Sequence, residues 1–136
     1  MNILYDHQIF WYQEYGGISK YFTELMSSAK SKDLFEFTLS VKFSNNKYIE
    51  DKSFSSVKKF IPNIDFTGKR TLFSSLNWIN QKNTIHLLNS TKFNLFHPTY
   101  YQDYYLNDLK IPLVLTVYDL TMEKFSENFS EKVIIE

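Results

Sequence analysis

Three short stretches carry the residues best suited to chemistry. Tyr15-Gly16-Gly17-Ile18-Ser19 sets two glycines before a helical stretch. Bare backbone there can approach a ligand closely, and the unpaired N–H groups of a helix start attract anions. The same pair also suits a plain tight turn into a helix. It is neither the dinucleotide fingerprint G-x-G-x-x-G nor a GK[ST] phosphate loop. His97 ends an apolar run and precedes Pro98. An imidazole at the carboxyl end of a buried strand can serve as a base or hydrogen-bond a sugar hydroxyl, and can equally hold a neighbouring loop. Tyr118-Asp119 closes a third apolar run. That aspartate can bind a hydroxyl, hold a histidine or cap the following turn. His7 says less, and His86 falls in a helical stretch, structural or exposed. The three histidines lack metal-ligand spacing, no serine sits in a G-x-S-x-G elbow, and no acidic pair suggests glycoside hydrolysis.

The elements that must position these residues follow from hydrophobic periodicity. Ile3-Leu4-Tyr5 is a short apolar run that predicts a buried strand ending near Asp6. The segment 7–15 is polar and aromatic without a clean period. Ile18, Tyr21, Phe22, Leu25, Met26 and Ala29 form one helical stripe. Residues 35–41 alternate strictly, as in a strand with one covered face or an outer strand. Asn45-Asn46-Lys47 is turn-like, and Val57 to Ile61 is a further short strand stopped by Pro62. A helix is expected over 69–88, with Leu72, Phe73, Leu76, Ile79, Ile85, Leu87 and Leu88 apolar. Phe93 to His97 is a strand, and residues 99–110, holding Tyr100, Tyr101, Tyr104 and Tyr105, are a loop. Residues 112–118 make the strongest strand of the chain, and a helix begins over 127–136. Strands alternating with helices imply a doubly wound, mostly parallel sheet with helices on both faces. Ligands of such sheets bind beyond the carboxyl ends of the strands. Asp6-His7, His97-Pro98-Thr99 and Tyr118-Asp119 are therefore expected at one cleft, beside the loop before Gly16-Gly17.

Composition narrows the class. The chain has 136 residues with 15 basic and 15 acidic side chains, so its formal charge is zero. That balance argues against a dedicated nucleic-acid binder. One domain with a real core suits this length. The absence of cysteine excludes disulfides, thiolate metal sites and a cysteine nucleophile. No apolar run approaches a membrane span, and the first residues do not resemble a secretory signal, so a cytoplasmic location is the expectation. Thirteen Phe, ten Tyr and two Trp are a high aromatic load. Ten tyrosines exceed what a core of this size needs, since each hydroxyl requires a partner. Tyrosine-rich surfaces suit ligands with apolar and polar faces, such as sugars; a general compositional habit is the other explanation.

Taken together, these stretches resemble a known pattern. Ile3-Leu4-Tyr5-Asp6 followed by Tyr15-Gly16-Gly17-Ile18-Ser19-Lys20-Tyr21-Phe22-Thr23-Glu24-Leu25 is similar to the opening of family 4 (group 1) glycosyltransferases of the GT-B type. Phe96-His97-Pro98-Thr99-Tyr100-Tyr101, then Leu115-Thr116-Val117-Tyr118-Asp119-Leu120 and Glu123-Lys124-Phe125, come in the expected order. The resemblance covers nearly the whole chain, as the N-terminal Rossmann-like, acceptor-binding domain alone. It implies a retaining transferase that moves a sugar from a nucleotide-sugar donor to a glycan or lipid-linked acceptor, as in bacterial surface polysaccharide synthesis. It implies no cofactor and no metal. Gly16 and Gly17 would face the donor phosphates, and His97 would hydrogen-bond the donor sugar and position the acceptor. Tyr100, Tyr118 and Asp119 would line the acceptor side of the cleft.

Two features depart from that family. Many relatives have histidine before the aspartate where this chain has Tyr118, and a phenol cannot act as a base near pH 7, so no base role passes to Tyr118. Family members are about twice as long or more, because each Rossmann-like domain is a compact unit. Set against that pattern, a donor domain would be absent here and the helix expected at Glu136 cut short, and the segment alone is expected to be inactive. Its partners would then include its own C-terminal domain, and self-association through the uncovered surface is plausible. Lys58, Lys59, Lys69, Arg70 and Trp78 are either a peripheral contact with the inner face of the membrane or ordinary solvated charge. Two other classes compete. One is a non-catalytic Rossmann-like module that binds a glycan or a protein through Tyr100, Tyr101, Tyr104 and Tyr105. The other is a flavodoxin-like nucleotide binder, which the lack of a phosphate loop disfavours.

Overall fold

A computed structural model describes residues 1–50, 57–59, 67–119 and 124. Its order is β1 (Asn2–Tyr5), α1 (Gln8–Tyr12), α2 (Gly17–Ser31), β2 (Glu36–Leu39), α3 (Lys47–Glu50), α4 (Lys69–Leu88) and β3 (Leu95–His97), then a 3-10 turn at Leu106–Asp108. The fold is mixed α/β around a small open sheet of order β2-β1-β3, with both pairings parallel. Ile3 stands opposite Phe37 and Leu95, and Tyr5 opposite Leu39 and His97.

Alternation along β1 divides the core into two clusters, because successive side chains leave a strand on opposite sides. Ile3 and Tyr5 pack with Phe22 and Met26 of α2 and with Leu39 and Val41. Leu4 packs with Phe96, Leu88 of α4, Phe93 and Tyr105. Burying a large apolar side chain is worth about 1.5–3 kcal/mol, so these residues dominate the cohesion of the sheet. Phe22 lies edge-on to Tyr5 at 5.9 Å and to His97 at 5.2 Å, which brings α2 over the ends of β1 and β3.

Local structure departs from the periodicity in four places. Residues 8–12 form α1 and bury Gln8, Ile9, Phe10 and Trp11; burial on most sides leaves no amphipathic period to read. In α2 the buried face includes Ser19 and Thr23, while Tyr21 points outward. The Ser19 hydroxyl donates to Gly16 O at 3.1 Å and the Thr23 hydroxyl to Ser19 O at 2.8 Å, so neither reaches the core unsatisfied. The helix over Lys69–Leu88 forms as expected, but it buries Asn80, Thr84 and Leu88 rather than Phe73 and Ile79. The segment 112–118 is not a regular strand among the described residues. Phe96 N donates to Pro112 O and Val114 N to Phe96 O, making a single parallel bridge beside β3. Leu113, Val114, Leu115 and Val117 stay 39–55% exposed. An apolar run of that kind becomes an interior strand only when both of its faces are covered.

Lys58 bridges Phe43, which accounts for part of the strand expected at 57–61. Residues 60–61 and the helix expected over 127–136 lie outside the described residues. No helix among the described residues is long and apolar enough to cross a membrane.

Candidate functional site at the strand ends

The strand order fixes where a site can form. β1 is central, and the chain goes first to β2 on one side and then to β3 on the other. In sheets of this order the ligand position is the carboxyl end between β1 and β3, where the loops leaving those two strands meet. Asp6 leaves β1 there, His97 ends β3, and Thr99 follows it.

Asp6 is fully buried, and five donors converge on its carboxylate. Oδ1 accepts from Thr99 N at 2.8 Å, the Thr99 hydroxyl at 2.7 Å and Gln8 N at 3.3 Å. Oδ2 accepts from Gln8 Nε2 at 2.6 Å and the Tyr104 hydroxyl at 3.1 Å. Gln8 in turn pairs with Gln102 by donating to its carbonyl and accepting from its N–H. Charge-assisted bonds of this number make Asp6 the tie between the end of β1 and the loop after β3. Its lone pairs are taken, so it is not placed as a free base.

His97 packs between Tyr5, at 5.3 Å, and Phe22, and its Nε2 is 2.8 Å from the Thr116 hydroxyl. Burial pushes its pKa down against a smaller opposing effect of Asp6, so the ring is neutral near pH 7. A neutral ring so held can hydrogen-bond a ligand hydroxyl. Tyr118 lies on the same side. Its hydroxyl donates to Thr99 O at 3.1 Å, and its own N–H donates to the Tyr101 hydroxyl at 2.8 Å. Burial, reinforced by Tyr101, raises the Tyr118 phenol well above its ordinary range, which keeps it protonated. Tyr100 is half-buried and stacks on Tyr101 at 4.9 Å. Asp119 is exposed at the far end of the segment, outside the buried cluster.

Gly16 and Gly17 open α2 as expected, with Gly16 in extended backbone rather than a left-handed turn. A Cβ on Gly16 would overlap the Gln13 side-chain amide, which would have to move from its place at the start of α2. Gln13 Oε1 accepts from Ser19 N at 3.3 Å and so occupies one donor of the helix start. Gly17 faces open space.

A second buried polar cluster adjoins the first; of its members the sequence pointed to His7, at the end of β1, and to Tyr104, but not to Asn77, Asn80, Asn83, Thr84 or Ser40. His7 is fully buried, with Nε2 3.1 Å from Asn77 Oδ1 and Nδ1 3.3 Å from the Thr84 hydroxyl and 3.4 Å from the Tyr104 hydroxyl. Since Asn77 Oδ1 only accepts, Nε2 carries the proton. Burial lowers the His7 pKa, outweighing Asp6 and Asn77, and burial also drives the Tyr104 phenol far up. Thr84 also meets the Ser40 hydroxyl at 2.6 Å. Asn80 bonds Lys42 N, Phe43 N and Phe43 O, and Asn83 Nδ2 donates to Ser40 O. The hydroxyl–hydroxyl–imidazole line of Ser40, Thr84 and His7 is sealed from solvent and positions α4 rather than a reacting group. Polar residues at helical spacing are the only trace of this seam in the sequence. Gln8 leaves none, because its partner lies some ninety positions away, and Thr99 shows only as part of the polar end of β3.

Of the residues suggested for membrane contact, Lys58, Lys59, Arg70 and Trp78 are exposed. Lys59 pairs with Glu50, and Lys82 lies 5.6 Å over the Trp78 ring. Among the described residues no group of three or more His, Asp or Glu could hold a metal ion. Comparison with protein-family models, curated proteins and solved structures finds no match to this chain.

Proposed function

We propose that this chain is the acceptor-side, Rossmann-like domain of a retaining glycosyltransferase of the GT-B type, working on a nucleotide-sugar donor and a glycan or lipid-linked acceptor. One observation supports the reading: residues of the three motifs that resemble family 4 pack together at the carboxyl end of the sheet. Phe22 of α2, the helix that Gly16 and Gly17 open, meets the rings of His97 and Tyr118; His97 meets Thr116, and Tyr118 and Asp6 both bond Thr99. In this reading a second domain holds the nucleotide. The α2 start adds backbone N–H donors for the diphosphate as it gains charge in the transition state, and fixed donors need no reorganisation there. The neutral His97 bonds a sugar hydroxyl. Asp6, its oxygens engaged by five donors, holds the loop rather than the substrate, which fits a transfer in which the departing diphosphate accepts the acceptor's proton. The reading calls for no metal or cofactor, a cytoplasmic location, and surface-polysaccharide synthesis as its setting.

The test is sugar transfer by the polypeptide of the complete reading frame, with UDP-, GDP- and dTDP-linked hexoses as donors. Transfer with retained anomeric configuration, lost in a folded His97→Ala variant, is expected. A folded complete protein that turns over none of these donors would overturn the proposal. The exposed Tyr12, Tyr21 and Tyr101 favour one other reading, a glycan-binding module without turnover; binding of glycans by that inert protein would select it.

A further inference from the structure

The loop that carries Gly16 and Gly17 hangs from a segment the proposed transfer does not use. α1 has only five residues, and the carbonyls where it ends lack partners within the helix. Residues 44–47, which lead into α3, supply the donors. The Ser44 hydroxyl donates to Phe10 O, Asn46 Nδ2 to Gln13 O at 2.6 Å, and Lys47 N to Glu14 O at 3.0 Å. Ser44 and Asn46 are both buried, and Asn46 N donates to the Ser44 hydroxyl at 2.9 Å. The segment is anchored behind. Asn80 of α4 bonds the backbone of Lys42 and Phe43, and Ser44 N donates to Lys58 O at 3.3 Å. Gln13 passes this hold on to α2. Asn46 takes its carbonyl, while its side-chain Oε1 accepts from Ser19 N in the first turn of α2, in the space a Gly16 Cβ would fill.

We infer that Asn46 is a positioning residue: acting through Gln13, it sets where the Gly16-Gly17 backbone and the N–H donors at the start of α2 stand. The inference rests on the proposed transferase for what those donors serve, the diphosphate of the sugar donor, but not for the placement itself. Asn46 suits the task because both ends of its amide are engaged. Oδ1 accepts from Tyr48 N at 3.0 Å, as an N-cap of α3 does, and this turns Nδ2 toward Gln13 O. Capping alone does not call for asparagine. Serine and aspartate cap helices as well, but serine is too short to reach Gln13 O and a carboxylate cannot donate to it.

The experiment compares Asn46→Ser, Asn46→Asp and Asn46→Ala in the 136-residue chain, by amide hydrogen exchange of Ser19 and the amide NMR shifts of Gly16 and Gly17. Serine keeps the α3 cap and drops the link. Aspartate keeps the cap and sets two acceptors against each other. Ser19 exchange should quicken about five- to tenfold in the serine variant and further in the aspartate variant, with Met26 farther along α2 unchanged. In a Gln13→Ala background the same substitutions should leave Ser19 exchange where it was, because the relay is gone. Lys47→Ala, which removes only the exposed pairs with Glu14 and Glu50, should move neither readout. In the polypeptide of the complete reading frame, Asn46→Ser should lower kcat for sugar transfer about tenfold and leave the donor KM within about twofold, since the displaced donors act on charge that develops in the transition state.

Exchange and shifts that match the parent in both the serine and the aspartate variants, or that change only in Asn46→Ala, overturn the inference, because Asn46 would then be a cap for α3 alone. Where the aspartate variant does not fold, the serine variant decides. A Ser19 response in a chain whose complete protein transfers no sugar upholds the positioning and sinks the transferase. Sugar transfer with an unchanged kcat in Asn46→Ser overturns the positioning role and leaves the transferase standing.

Discussion

Replacing Asp6 by asparagine tests whether the loops after β1 and β3 are held together by one buried carboxylate. The substitution keeps the shape and removes the charge. With Oδ1 still toward Thr99 and Gln8 N, the three donors on that side keep a neutral acceptor. The new amide nitrogen faces Gln8 Nε2 and the Tyr104 hydroxyl, both donors in the parent. Tyr104 can turn its hydroxyl to accept. Gln8 cannot flip its amide without breaking both of its bonds to Gln102, at 3.1 and 2.7 Å. The change therefore loses two hydrogen bonds to a charged group and leaves two donors opposed in a closed space. Bonds to charged groups contribute about 1.5–3 kcal/mol each, and an unsatisfied buried donor costs about 1–3 kcal/mol. Some relaxation of the loop at 99–104 offsets part of this, giving a net loss of about 3 kcal/mol against a total of roughly 5–15 for a domain. The corresponding fall in Tm is about 10 °C for a chain of this size. Urea unfolding followed by fluorescence of the buried Trp11, with Asp103→Asn as the exposed control, measures it. A loss below about 1 kcal/mol for Asp6→Asn would refute the convergence of five donors as the tie between β1 and the loop after β3.

Other outcomes follow from the same geometry. Burial keeps the folded-state pKa of His7 and His97 below the ordinary value near 6.5, so the unfolded chain takes up protons first as pH falls. Their contribution is intact above about pH 6.5 and is lost on acidification toward the folded values; urea midpoints at about pH 7.5 and 5.5 should show a lower acid value, with a smaller drop in His7→Gln. Equal midpoints in the parent would contradict the burial of two neutral imidazoles. Gly16→Ala displaces the Gln13 amide from the start of α2 and should cost about 1 kcal/mol, yet almost nothing in a Gln13→Ala background; additive costs in that double-mutant cycle would show that the overlap is not the cause. Thr116→Val leaves His97 Nε2 without its partner and should lower stability by about 1–2 kcal/mol in thermal unfolding, while a neutral result would mean that the ring is held by Tyr5 and Phe22 alone.

By itself, the sequence determined the elements whose burial is one-sided or whose signals are local. β1, α2, β2, α4 and β3 fall where apolar periodicity and Gly16, Gly17 and Pro98 put them. Parallel alternation then implied that Asp6 and His97 share one end of the sheet. It could not reveal α1, which is buried on most sides, nor the inward face of α4, where Asn80 and Thr84 replace the apolar residues that periodicity favoured. It also overestimated residues 112–118, since apolar content marks a strand for burial but cannot supply the neighbours that bury it. Tertiary structure alone decided the roles of the polar residues. Asp6 became a structural anchor because Thr99 and Tyr104, more than ninety positions away, were folded onto it. His7 became the centre of a second cluster by meeting Asn77 and Thr84. Apolar burial is a property of each residue that a pattern can display, whereas a hydrogen bond belongs to a pair, and the pair exists only once the chain has folded.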